Sequence, residues 1–321
     1  MSRTALQIAR WNAADYAANS VVQQAWAREL IARLNLRGDE RVLDVGCGDG
    51  KVSAEIARAV PRGSVVGVDA SPQMIKFARA AFPLGKIPNL QFQVMDARKI
   101  SLAALSSPSP RQREERAGVR RPIASNSKPL APTPSPPGRG EGVKNAPFDV
   151  VFSNAALHWV DDHRAFLRGV AACLRSGGRL VVSCGGKGNA QDVFVALRPE
   201  MRLKRWRELF RRIPKPYFFY SPADYEKWLP QFGFKTIGIR LVPKDAVYTG
   251  PDKFVAWLRT TWLPYVQRVP ENLREEFIAA VADRYLAKHP PDHAGRVHVH
   301  MVRLEIEAEK FDHEKHEPRG R

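Results

Sequence analysis

Residues 42–50 read VLDVGCGDG. Apolar residues around one acid run into glycines at positions 46, 48 and 50. The run RVLDV (41–45) has the make-up of a buried strand, and KVSAEIARAV (51–60) that of an amphipathic helix. A strand that ends in glycines lets backbone approach a ligand closely, because no Cβ intrudes. The first turn of the next helix then offers free N–H groups. The spacing must say which nucleotide such a loop suits. A dinucleotide loop is G-x-G-x-x-G, whose last glycine lets helix and strand pack closely. Here the spacing is G-x-G-x-G, and Lys51 stands where that last glycine would be. Asp44, two residues before the first glycine, would repel a pyrophosphate and attract an ammonium group.

Outward from the loop the chain alternates. SVVGVD (64–69), LQFQVMD (90–96), FDVVFSN (148–154) and GRLVVSC (178–184) read as strands. Helices are expected over 13–35, 71–82 (capped by Ser71, with Pro72 at its first position) and 162–174. This alternation predicts an α/β fold with a mostly parallel sheet and helices on both faces. After residue 190 the rhythm changes. A basic helix is expected over 192–213, a strand over 234–242, two or three helices within 251–288, and a long alternating strand over 296–309. Residues 101–147 hold nine of the 25 prolines and no aromatic residue, so they read as a disordered insertion. The expected organisation is 1–100 for the N-terminal helix and first half of the core, 101–147 for the insertion, and 148–190 for the second half. A helical substrate region with the last strands follows at 191–310, then a flexible tail at 311–321.

Composition narrows the class. The 321 residues are 44% hydrophobic, enough for a sizeable core, and no run reaches the length of a membrane span. Cys47, Cys173 and Cys184 form no CxxC pair, which fits a reduced cytoplasmic protein and no zinc site. Cys47 reads as a small neutral filler. The pairs His298/His300 and His313/His316 lack a completing carboxylate or cysteine cluster, so no metal is expected. The net charge of +18 favours an anionic partner.

Asp69 ends the second strand, where a carboxylate can accept both hydroxyls of a ribose. Asp96 ends the third and could accept from an adenine amino group. Together with Asp44, these acids suit a ligand with an amine, a ribose diol and an adenine. S-adenosylmethionine has all three.

VLDVGCGDG, VVGVDASPQMIKFAR, QVMDA, FDVVFSNAALHWVDD and LRSGGRLVVS stand in the order shown by the class I S-adenosylmethionine-dependent methyltransferases, which the chain resembles. Within that class SNAALHWV and the spacing of Tyr16, Asn19 and Gln23 resemble the trans-aconitate and juvenile hormone acid methyltransferase group. The resemblance implies a Rossmann-like seven-stranded sheet with an antiparallel final hairpin. It implies that Asp44, Gly46, Cys47 and Gly48 line the methionine end of the cofactor. Asp69 and Ala70 would hold the ribose, Asp96 and Ala97 the adenine, and Ser153 and Asn154 would border the methionine part. Gln23, His158 and Trp159 would surround the methyl group and the substrate as catalytic residues. The trans-aconitate enzymes tend to carry Arg where Gln23 stands, a departure that argues against a tricarboxylate substrate.

The activity expected is methyl transfer (EC 2.1.1) to a carboxylate of a small or carrier-linked acid, since no strong acid–base pair stands near the expected methyl position. Arg259 and Lys253, near Trp257 in the sequence, are candidates for a second anionic group of the acceptor. RLKRWRELFRR (202–212) could guide an anionic substrate or acidic carrier protein, or be a solvated helix face. The alternatives are methylation of N or O on another small molecule or on RNA, and non-catalytic cofactor binding. No RNA-binding module is recognisable. No membrane association is expected.

Overall fold

The computed structural model describes residues 11–19, 21–106 and 147–311. Most of the segment read as an insertion, and His313 and His316, lie outside the described residues. Within the stretch expected as a helix over 13–35, the described chain is helical over Ala13–Asn19 (α1) and Val21–Ala32 (α2). The first half of the core follows as β1 (Arg41–Val45), α3 (Lys51–Ala59), β2 (Ser64–Asp69), α4 (Pro72–Ala81) and β3 (Leu90–Val94). The Ser71 hydroxyl accepts from the Met74 N–H at 3.3 Å and caps α4 as expected.

Residues 101–106 belong to the folded part. Leu102–Ser106 forms a short helix, α5. Leu102, Ala104 and Leu105 pack on the core, and Gln93 Nε2 donates to the Ala104 carbonyl at 2.7 Å. The proline-poor SLAALS start gives this stretch its apolar side, which a compositional reading of the whole segment hid.

The second half is β4 (Phe148–Asn154), α6 (His163–Cys173) and β5 (Leu174–Gly185). Beyond it lie α7 (Gln191–Arg202), α8 (Arg207–Phe210), α9 (Pro222–Trp228) and β6 (Phe234–Tyr248). The chain ends with α10 (Pro251–Thr261), α11 (Leu263–Val266), α12 (Arg274–Leu286) and β7 (Val297–Lys310). The helix expected over 192–213 breaks after Arg202, where Leu203 turns extended (φ −60°, ψ 145°) and Trp206 enters the core.

The seven strands run in the order β3-β2-β1-β4-β5-β7-β6. Strands β1 to β5 are parallel, and β7 inserts antiparallel between β5 and β6. The sheet is therefore Rossmann-like with an antiparallel final hairpin, as the resemblance implied. Strand β6 runs six residues past its expected end at Val242, pairing through Tyr248↔Val297. It tolerates Pro243 because it is an edge strand, where a missing N–H costs no ladder bond on the open side. Chain order reverses between β1 and β4, and such a switch point opens a crevice at the carboxyl ends of the strands.

At that crevice the β1 and β4 loops touch. Gly46 has φ +77°, and a Cβ there would stand 2.0 Å from Ala156 Cβ. Gly48 (φ +53°) is roomier, its nearest neighbour being Tyr16 Cε1 at 3.7 Å. Gly46→Ala therefore meets both a steric overlap and a left-handed backbone, while Gly48→Ala meets only the second. In thermal unfolding Gly46→Ala should lower the midpoint clearly more than Gly48→Ala, whose backbone strain alone costs about 1 kcal/mol.

Candidate functional site

The crevice is a cavity of about 540 Å³, joined at the glycine loop by a smaller one of about 50 Å³. Gly46, Gly48, Tyr16, Gln23 and Ala155 line both. The larger takes in Asp69, Ala70, Asp96 and Ala97 on one side and His158 and Trp159 on the other. The smaller takes in Asp44, Cys47 and Asn154. One expected residue is elsewhere. Ser153 lines neither cavity, and its buried hydroxyl donates to the Val45 carbonyl at 2.8 Å, joining β4 to β1. Successive strand residues face opposite sides, so Asn154 can reach the crevice only if Ser153 does not.

The acids lie at the strand ends where the sequence placed them. Asp69 accepts from the N–H groups of Gly48 (3.1 Å) and Ser71 (2.8 Å). Burial raises its pKa. Asp44 accepts from the Ser53 hydroxyl at 2.5 Å, and burial pushes its pKa up to about 7. A buried carboxyl with that pKa is one that a cationic ligand would ionise. Asp96 caps the turn Ala97–Lys99, and the Arg98 guanidinium covers both of its oxygens while also pairing with Asp161. Cys47 is buried beside Asp69, Asp44 and Asp49, and burial first, then those charges, push its pKa well up. It is a thiol, which suits a filler.

His158 and Trp159 sit in the helical turn Leu157–Trp159 after β4. Trp159 packs edge-on against Trp11 (5.1 Å between ring centres) and Tyr217 (4.9 Å). It is at once a cavity wall and part of the core. His158 does not cap α6, whose cap is Asp162, accepting from the Ala165 N–H at 2.9 Å. Instead His158 Nδ1 accepts the Gly185 N–H at 3.3 Å. Burial, with the Arg303 charge second, lowers its pKa to about 3. The ring is neutral, and with Nδ1 accepting, the proton sits on Nε2. His158 is thus an N–H donor in the cavity.

The Leu157–Trp159 turn is held from behind by His163, which the sequence did not single out. Its Nε2 donates to the Leu157 carbonyl at 2.7 Å, so its Nδ1 accepts from the Tyr225 hydroxyl at 2.6 Å. Gln23 contributes a buried Oε1 with no hydrogen-bond partner, at the junction of the two cavities. Such an orphaned acceptor fits a site shaped for a ligand with N–H or O–H donors.

The sequence also missed Arg303 of β7. It lines the cavity, is 3% exposed, and forms no ion pair among the described residues. Its signal was parity. Counting by twos from Val297 passes through Val299 and Met301 to Arg303, a cation on the buried face of the strand. The cations proposed in its place do not reach the cavity. Arg259 pairs with Asp15 (3.1 Å) and fastens α10 to α1, and Lys253 is exposed. The basic stretch 202–212 faces solvent around buried Trp206 and Phe210, with Arg205 paired to Glu200. His298 stands between Asp245 and Asp292. Among the described residues no three His, Cys, Asp or Glu side chains group so as to hold a metal ion.

A methyltransferase-domain family model matches residues 18–238. The chain belongs to that family and is an S-adenosylmethionine-dependent methyltransferase. An uncharacterized methyltransferase of Schizosaccharomyces pombe is 32% identical over 229 residues, covering 70% of each chain. A trans-aconitate 2-methyltransferase of Methylobacterium nodulans is 26% identical over 317 residues, 94% of this chain and 99% of the relative. Among solved structures, the YcgJ protein of Bacillus subtilis shares the fold with a TM-score of 0.51 at 17% identity, over 90% of this chain and 99% of its own. No helix among the described residues is long and apolar enough to cross a membrane.

The turn that carries His158 depends on a buried bond that can be removed alone. Tyr225→Phe leaves His163 Nδ1 without its donor in a dry site. Urea unfolding should show a loss of about 1–3 kcal/mol, the cost of an unsatisfied buried acceptor, with the slope unchanged.

Proposed function

We propose that the chain methylates a carboxylate oxygen of a small or carrier-linked acid. The observation that carries this reading is the hydrogen bond from the Gly185 N–H to His158 Nδ1, which occupies that nitrogen as an acceptor and leaves Nε2 to offer the cavity a donor and no base. The other ionisable groups there point the same way. Burial raises the pKa of both Tyr16 and Tyr217, so both stay phenols. An amine or alcohol acceptor must lose a proton during transfer, whereas a carboxylate is already ionised at neutral pH. The relatives named trans-aconitate 2-methyltransferases support a carboxylate acceptor. The net charge of +18 supports an anionic small molecule, or an acidic carrier that presents one. Three buried free cysteines support a reducing compartment such as the cytoplasm.

The residues present fit the cofactor. Asp44 would hold its ammonium with the Gln23 carbonyl oxygen beside it, and Asp69 its ribose diol. Gly46, Gly48 and Asn154 would frame the methionine end, with Cys47 as filler. Ala70 and Ala97 would leave room for the nucleoside. Asp96 would reach the adenine amino group with what Arg98 leaves uncovered. Bound S-adenosylmethionine supplies a methyl group on a sulfonium that is its own leaving group. The chain's part is then to position and to exclude water. Trp159 would wall the acceptor against the methyl position, and His158 Nε2–H would orient the acceptor oxygen. Alignment of this kind contributes about 7–11 kcal/mol in well-ordered systems.

Two measurements check these assignments. Only ionised Asp44 attracts an ammonium, and its pKa in the free protein lies at about 7. Affinity for S-adenosylhomocysteine should therefore rise several-fold as pH climbs from about 6 to 8, and Asp44→Asn should flatten that rise. Equal pH dependence in both proteins would remove Asp44 from the ammonium site. The chemistry is read from labelled methyl transfer to a panel of carboxylic acids, amines and RNA. The product should be a base-labile ester. With cofactor and acceptor both saturating, its rate should be nearly flat between about pH 6 and 9 in both wild type and His158→Asn, whereas loss of a true base costs about 10²–10⁴-fold. A basic limb that vanishes with the histidine, together with a collapse in rate, would overturn the carboxylate reading.

A further inference from the structure

We infer that Arg303 is the anchor for the acceptor's carboxylate, and that the site selects acids with a single carboxylate on an apolar body. This rests on the carboxylate reading above. The guanidinium is held by three hydrogen bonds on two of its nitrogens. Nε donates to the Ser183 hydroxyl at 3.2 Å, and Nη2 donates to the Ser183 carbonyl at 2.6 Å and to Asn154 Oδ1 at 3.2 Å. Nη1 keeps both of its N–H donors without a partner among the described residues. The Trp26 ring lies 5.3 Å below the guanidinium carbon and fixes its plane. All the partners that hold this cation are neutral. The charge of an arginine buried in this way stays uncompensated until an anion arrives, and a planar guanidinium with one free nitrogen suits a carboxylate oxygen.

Arg303 also stands in register with Gly185, whose N–H fixes His158. Both side chains are thereby tied to the Gly185 backbone, and a single carboxylate would sit against Nη1 of Arg303 and Nε2 of His158. A second anion would find nothing similar nearby. The other cations lining the cavity are Arg98 and Lys99, beside Asp96, and Arg98 is already paired with Asp96 and Asp161. The rest of the acceptor end is aromatic, with Trp11, Trp159, Tyr217, Phe219 and Trp262 lining it. The Tyr217 hydroxyl is already donated to the Thr261 carbonyl at 2.9 Å, so it does not ask for a polar ligand. Such a wall takes an alkyl chain or an aryl ring and leaves further carboxylates unpaired, which costs them binding.

The test uses the full chain saturated with S-adenosylhomocysteine. Binding of decanoate, cinnamate, their primary amides and trans-aconitate is followed by tryptophan fluorescence and calorimetry. The two monocarboxylates should bind at least tenfold tighter than their amides and than trans-aconitate. Arg303→Met should weaken monocarboxylate binding at least tenfold and leave S-adenosylhomocysteine affinity within about twofold. Arg303→Lys should retain part of the acid preference, which a purely structural role would not produce. Amides binding as well as acids, trans-aconitate binding tightest, or no monocarboxylate binding at millimolar concentration would each overturn the inference. So would a parallel loss of cofactor-product affinity in Arg303→Met, which would give the arginine to the cofactor's carboxylate instead. Transfer assays separate this from the reaction type. Base-labile label formed equally well without Arg303 overturns the anchor and keeps the ester chemistry. Acid binding that needs Arg303 but yields no base-labile label keeps the anchor and overturns the ester chemistry.

Discussion

The loop after β1 can lie against the loop after β4 because position 46 carries no Cβ, and much of the site follows from that contact. With 2.0 Å between a hypothetical Cβ and that of Ala156, no other residue fits without moving one loop. The contact brings the glycine loop, which ends at α3, beside the turn that carries His158 and Trp159. Ser153 secures the same pair of strands from below through the Val45 carbonyl. Gly46 and Cys47 donate to the Val68 carbonyl and tie the loop to β2, which ends in Asp69. Residues far apart in the chain thus reach one crevice through backbone contacts rather than through long side chains. Backbone contacts of this kind hold a site to tenths of an ångström, which is what a positioning catalyst requires.

The crevice is also polarised. Asp44 and Asp69 stand at one end, and their charges, with that of Asp49, act on Tyr16 and Cys47 there. Arg303, whose charge also reaches Tyr16 and which bonds Asn154, stands beside the acid end, and the wall of the larger cavity beyond it and His158 is aromatic. For the proposed reaction this division has a consequence. A cation and an anion would combine to give two neutral products. A wall of low polarity raises the energy of the separated ions more than that of the state in which their charges are partly cancelled.

The sequence displayed the core well because its signals are strong and local. Strands 41–45, 64–69 and 148–154 are buried runs bounded by loop residues, and the structure has them at those limits. The glycine loop and the acids at strand ends were legible for the same reason. The failures share one cause, which is the direction of a side chain. Ser153 was placed with Asn154 although neighbours on a strand face opposite ways. Arg259 was placed with Trp257 although residues two apart on a helix do not share a face. Arg303 was not singled out, because its parity is shared by Glu305, Glu307 and Glu309 as well as by buried Val297, Val299 and Met301. Residue type and neighbourhood in the chain indicated which chemistry was available. Pleat and helical phase decided which residues could deliver it.

The final hairpin explains why Arg303 can matter at all. Had β7 followed β6 outward, its side chains would have met solvent on an edge. Because β7 inserts beside β5, Arg303 lies opposite Gly185 and within reach of Ser183 and Asn154. An antiparallel strand there runs from the helical cluster toward the sheet's far end. It changes its buried face on the way, from Val297, Val299 and Met301 against the helices to Leu304, Ile306 and Ala308 in the core beneath the sheet. Arg303 stands where that change occurs, between the two apolar clusters, in the wall of the crevice. The glycine loop and the acids come from the parallel strands, whereas Tyr217, Phe219, Trp262 and Arg303 reach the same cavity from the segment after residue 190.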